Sequence, residues 1–127
     1  MQSGKSRDNQ WFRHMALYYH LPVYKASYDL LLAIFLLTKN FSREYKYTIG
    51  EDLKKTAAEM ILNIYRANSA AAKKEIIQKA RENLEVIRLY TRLLKDLKQI
   101  SAEKLIQVNE LIESVSRQTA GWQNSSK

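Results

Sequence analysis

Lys74, Arg81, Arg88, Arg92 and Lys95 follow one another at spacings of seven, seven, four and three residues. On a helix turning about 100° per residue, these five side chains fall within roughly 60° of one another. A line of ammonium and guanidinium groups over about six turns gives a phosphate backbone a track to follow. A guanidinium can also grip one phosphate through two parallel hydrogen bonds. Gln78 and Gln99 border the line and Glu85 interrupts it. The residues alone leave two readings open: nucleic-acid binding, or the solvated outer face that any soluble helix needs.

The distribution of charge favours the first. The formal net charge is +8. Residues 1–47 hold seven Lys/Arg against three Asp/Glu, and residues 73–98 hold eight against four. The stretches 48–72 and 99–127 each balance three against three. Basic charge focused on an otherwise neutral chain is what a polyanion-binding surface requires.

Catalytic chemistry has little to work with. The two histidines, His14 and His20, have no carboxylate or serine constellation around them. Glu82/Glu85 and Glu110/Glu113 stand at ordinary helix-surface spacing. There is no Gly-rich phosphate loop, no metalloprotease motif and no metal-ligand cluster. With no cysteine, disulfides, thiolate zinc sites and cysteine nucleophiles are excluded. The expectation is a protein that is not an enzyme and needs no cofactor, metal or small-molecule substrate.

A length of 127 residues makes one domain with a real core. Three glycines and one proline are too few for the frequent turns of an all-β fold. The longest apolar run, Leu30–Leu37, is far shorter than the roughly 18 residues of a membrane span. Arg13 and His14 spoil any signal-peptide core, so a cytoplasmic location away from membranes is expected.

Four amphipathic helices are legible. Pro22 suits the start of the first, which runs to about Lys39 and is apolar on every side beyond Asp29. A loop follows over Asn40–Tyr47, and Thr48 with Glu51 reads as a capping box for the second helix. That helix carries Ile49, Leu53, Ala57, Met60, Ile61, Ile64 and Tyr65 on one face, with Asn63 largely opposite. Asn68-Ser69 reads as a break. The third helix spans about Ala72–Leu97, with Ile76, Ala80, Leu84, Ile87, Thr91 and Leu94 as its core face. Ser101 is a good N-cap for the fourth. Leu105, Val108, Leu111, Ile112 and Val115 form its stripe, and Gly121 is a natural stop. Short links between such helices imply an all-α, antiparallel up-down four-helix bundle over residues 21–123. A partly ordered extension (1–20) and a disordered tail (124–127) would flank it.

Val86, Leu89, Leu93 and Leu97 form a second apolar patch on the third helix, and the first helix carries more apolar surface than one bundle buries. Such strips mark either a subunit interface or a broad core contact. Tyr18, Tyr19, Tyr45 and Tyr47 lie near basic residues, where they can stack on unpaired bases or simply pack between helices.

The stretches Leu21-Pro22-Val23-Tyr24-Lys25-Ala26-Ser27-Tyr28-Asp29-Leu30-Leu31 and Thr38-Lys39-Asn40-Phe41-Ser42-Arg43-Glu44-Tyr45-Lys46-Tyr47-Thr48-Ile49-Gly50 resemble the Avd-like four-helix bundle proteins. Leu94-Lys95-Asp96-Leu97-Lys98 and Gly121-Trp122 extend the resemblance, which covers about residues 21–123. Avd is the accessory variability determinant of diversity-generating retroelements, and a sister branch is encoded within ribosomal-RNA intervening sequences. Ser42 stands where family members commonly have proline; Tyr45 and Tyr47 leading into Gly50 look closer to the Avd branch. The resemblance implies a non-catalytic homopentameric barrel with a basic surface. It would bind the element's reverse transcriptase and template RNA, and possibly DNA, in mutagenic retrohoming. Phe41, Arg43, Glu44, Tyr45 and Tyr47 match the family loop and are read as structural, with aromatic plugs and a local Arg–Glu pair. The binding roles of Lys74, Arg81, Arg88, Arg92 and Lys95 rest on charge geometry alone.

Overall fold

Pro22 occupies the first turn of α1 (Pro22–Thr38), where its missing N–H leaves no hydrogen bond unmade. In the computed structural model, residues 21–126 are described; the N-terminal extension, with His14, His20, Tyr18 and Tyr19, lies outside them. After α1 the chain turns a corner through residues 39–48. A single helical turn, α2 (Arg43–Lys46), stands in what reads from sequence as plain loop. Three long helices follow: α3 (Ile49–Ser69), α4 (Lys73–Asp96) and α5 (Ala102–Ser125). The break after α3 therefore falls at residues 70–72, just beyond the Asn68-Ser69 expected to cause it.

The long helices form a closed square in which each packs against two neighbours: α1 on α3 and α5, α4 on α3 and α5. Polar ties between α4 and α5 give the direction. Residues 78, 81 and 88 bond to 123, 119 and 113, so partner numbers fall as the chain advances. This is the antiparallel four-helix bundle that the apolar periodicity implies.

Its core contains Leu30 and Ile34 from α1, Leu53, Met60 and Ile64 from α3, Leu84, Ile87 and Leu94 from α4, and Val108, Ile112 and Val115 from α5. Burying each of these side chains stabilises the fold by about 1.5–3 kcal/mol before the entropic cost of ordering it. On α4 the buried series is Ile77, Ala80, Leu84, Ile87, Thr91 and Leu94. Ile77 takes the place expected of Ile76, because alternating steps of three and four residues keep one seam facing inward. Ser27, Thr38, Thr91 and Thr119 are buried as well. Each hydroxyl donates to a carbonyl one turn back in its own helix, at 2.7–3.0 Å, so none is left unpaired.

Asn63 overturns its sequence reading as a surface residue: it is 5% exposed. Its Nδ2 donates to Asn83 Oδ1 at 2.9 Å across the α3–α4 contact, and its Oδ1 accepts from Arg66 at 3.2 Å. A paired amide is tolerated in a core where an unpaired one is not.

The helix ends divide into those that follow their signals and those that do not. Ser101 caps α5 by accepting from the Lys104 N–H at 3.1 Å. Thr48 precedes α3 but forms no capping box. Its hydroxyl donates instead to the Glu44 carbonyl at 2.8 Å, and Glu51 pairs with Lys54 at 2.8 Å. That hydrogen bond from Lys54 holds the Glu51 carboxyl below its ordinary pKa. Gly121 does not stop α5, which continues to Ser125 through part of the expected tail. Gly50 is needed for close approach: a Cβ there would lie 3.0 Å from the Tyr45 carbonyl and 3.3 Å from the Phe41 ring.

Among the described residues, the one non-glycine with positive φ is Lys98, at 61°. It ends α4: its N–H bonds the Lys95 carbonyl at 3.0 Å, and the Gln99 N–H bonds the Leu94 carbonyl at 2.8 Å. A Cβ is disfavoured in this left-handed conformation. Lys98→Gly should therefore raise the unfolding free energy by about 0.5–1 kcal/mol in urea titrations followed by circular dichroism.

Candidate nucleic-acid interface

Rotation of α4 about its buried seam decides what its cations face. With Leu84 and Ile87 inward, Asn83 lies on the flank toward α3, while Arg81 and Arg88 lie on the flank toward α5. The basic line read from the sequence runs along that α4–α5 contact, and much of it is occupied in joining the two helices.

Arg81 Nη1 donates to the Ser116 carbonyl at 2.8 Å and to Thr119 Oγ1 at 3.0 Å. Arg88 sits between two carboxylates, bonding Glu113 of α5 and Glu85 one turn back at 3.5 Å. The hydrogen bond to Glu113 holds the Arg88 guanidinium above its ordinary pKa, against the opposing effect of partial burial. Arg92 pairs with Asp96 at 3.3 Å and remains largely exposed. Lys74 is exposed and Lys95 half-buried, and neither has an ion pair among the described residues. The five residues share one flank as the spacing implies, but three are already bonded to protein.

Gln123 completes the seam, donating to Gln78 Oε1 at 3.0 Å and to the Lys74 carbonyl at 3.2 Å. Such partly exposed pairs stabilise by about 0.2–1 kcal/mol each. Sequence spacing could find the line but not the helix that would cover it. An open cleft of about 440 Å³ remains beside the seam, lined by Glu85, Arg88, Leu89, Arg92, Leu105 and Asn109. No group of three or more His, Asp or Glu side chains among the described residues is placed to hold a metal ion. No helix among them is long and apolar enough to cross a membrane.

The expected plugs at the α1–α3 corner divide in two. Phe41 is buried against Gly50 and joins the core, whereas Tyr47 is 63% exposed. The expected Arg43–Glu44 pair does not form, since adjacent residues on a helical turn point apart. Outward apolar residues gather on the backs of α1 (Leu32, Phe35, Leu36) and α4 (Val86, Leu89, Leu93). Lys54 Nζ lies 5.6 Å from the centre of the Phe35 ring.

The class so defined is a basic antiparallel four-helix bundle with apolar side chains exposed on the backs of α1 and α4. A family model described as bAvd-like matches residues 22–126, and the chain belongs to that family of accessory proteins. No curated protein matches the chain.

Arg81→Ala should lower the unfolding free energy by about 1–2 kcal/mol, since it removes two charge-assisted bonds at a helix contact. Lys74→Ala should stay within about 0.5 kcal/mol of the parent. Paired urea denaturation curves give both values.

Proposed function

We propose that this protein is the non-catalytic accessory subunit of a diversity-generating retroelement, binding both the reverse transcriptase and the template RNA to support mutagenic cDNA synthesis and retrohoming. Membership of the bAvd-like family across residues 22–126 is the observation that carries this reading. The net charge of +8 supports the nucleic-acid part, because neutralising phosphates releases their counterions. The protein works in the cytoplasm as a homo-oligomer, a homopentamer in keeping with the family resemblance.

The apolar backs of α1 and α4 support self-association. These helices occupy opposite corners of the square, so the two patches face away from each other. A patch that meets a different patch on the next copy generates a ring when the rotation closes. The ring would bring several basic surfaces to one RNA and raise avidity without any new contact.

A second reading, an oligomeric adaptor that binds protein alone, draws on Arg81, Arg88 and Arg92, whose charges already serve bonds within the chain. Titration of the purified protein against a structured RNA and a duplex DNA over a salt series separates the two. RNA binding gives affinity that falls with salt at a log–log slope of several units, about 0.7–0.9 per phosphate neutralised. Absence of binding at low salt would leave the adaptor. Light scattering should return five times the 14.9 kDa chain mass for the parent. Leu89→Glu should reduce it toward a single chain, by placing a charge in the apolar contact.

A further inference from the structure

Free positive charge gathers at one end of the bundle. The α1–α3 corner and the α4–α5 turn meet there, joined by the Ser42 N–H donating to Gln99 Oε1 at 2.8 Å. Phe41 and Ile100 anchor the two connections in the core, at 5% and 7% exposure. Asn40 and Lys104 line one cleft at this end, and Lys95 and Lys98 line another.

Lys39, Arg43, Lys46, Lys95, Lys98 and Lys104 all belong to these connections and their flanking turns, and none has an ion pair among the described residues. Lys39, Arg43, Lys98 and Lys104 are exposed, and Lys46 and Lys95 half-buried. The same end carries Glu44, Asp52 and Glu103, together with Asp96, whose charge Arg92 engages. Cations remain in excess, and they differ from Arg81, Arg88 and Arg92 in one respect: their donors are unspent among the described residues. Tyr47, next to Lys46 in the chain, is 63% exposed.

We propose that this end of the bundle, rather than the stretch of α4 around Arg81, Arg88 and Arg92, binds a single nucleic-acid strand, with phosphates on the six cations and a base stacked on Tyr47. The proposal rests on the nucleic-acid reading above and names its site. Unspent ammonium groups can take phosphates without first breaking a protein ion pair. An exposed aromatic ring amid cations suits unpaired bases, since every base has a face to stack. Bases inside a duplex are stacked on both faces and offer such a ring no free face, so the partner is single-stranded.

The experiment uses the full chain and a fluorescein-labelled 15-nucleotide single-stranded RNA in anisotropy titrations over a salt series. Lys39→Gln/Lys46→Gln/Lys98→Gln removes three charges from the loop end. Lys74→Gln/Lys79→Gln/Arg117→Gln removes three exposed charges from elsewhere and so controls for net charge. The loop-end variant should lose about two units of log–log salt slope, while the control keeps the parent slope. Tyr47→Ala should weaken binding on the order of ten-fold, and Tyr47→Phe, which keeps the ring, should bind like the parent. Circular dichroism checks that each variant stays folded.

Equal losses in the two triple variants, or a loss confined to the control, would overturn the site while leaving nucleic-acid binding standing. Unchanged affinity in Tyr47→Ala would overturn the stacking role. A parent that binds no RNA at low salt would sink the site and the nucleic-acid function together.

Discussion

Burial of Ile77, Ala80, Leu84, Ile87, Thr91 and Leu94 against the other long helices sets the rotation of α4, and the rest of the surface follows from it. Once that seam faces inward, Asn83 must meet Asn63 of α3, and Arg81 and Arg88 must meet α5. Val86, Leu89 and Leu93 are then left on the outside. One hydrophobic requirement thus decides which polar groups are spent on cohesion and which apolar groups remain for partners.

Electrostatics divide along the same line. Arg81 and Arg88 on the flank of α4 have a carboxylate, a carbonyl and a hydroxyl within reach, because an antiparallel neighbour brings them there. Cations at the loop end have no ion pair among the described residues. Their charge is held up to solvent by a short tie between two turns, Ser42 to Gln99, on a base of buried Phe41 and Ile100. Equal numbers of lysines and arginines in a sequence therefore do not mean equal capacity to bind phosphate. What counts is whether the donors are free.

The helices were legible because period and capping residues agree: Pro22 opens α1, Ser101 caps α5, and the apolar stripes identify most of the core. Thr48, Asn63 and Gly121 went astray for separate reasons. Thr48 has two acceptors or donors competing for its hydroxyl, and the preceding turn wins. Asn63 looks like surface until Asn83 supplies its partner from twenty residues away. Gly121 is free to leave the helix but nothing compels it to. Lys98 takes the left-handed position that glycine would favour, and no local residue type announces it.

The sequence by itself determined the four helices, the face each would bury, the surplus of basic charge and the likeness to the Avd family. Those properties are local or additive: periodicity, caps and charge depend on a residue and its near neighbours along the chain. Tertiary structure alone decided which cations are consumed by Glu113, Ser116 and Thr119, and which stand free beside Lys98. It also placed Tyr47 in the open rather than in the corner it was expected to plug. The physical reason is that a charge or a ring is satisfied by whatever comes near it in space, and helix packing, not chain order, chooses that neighbour.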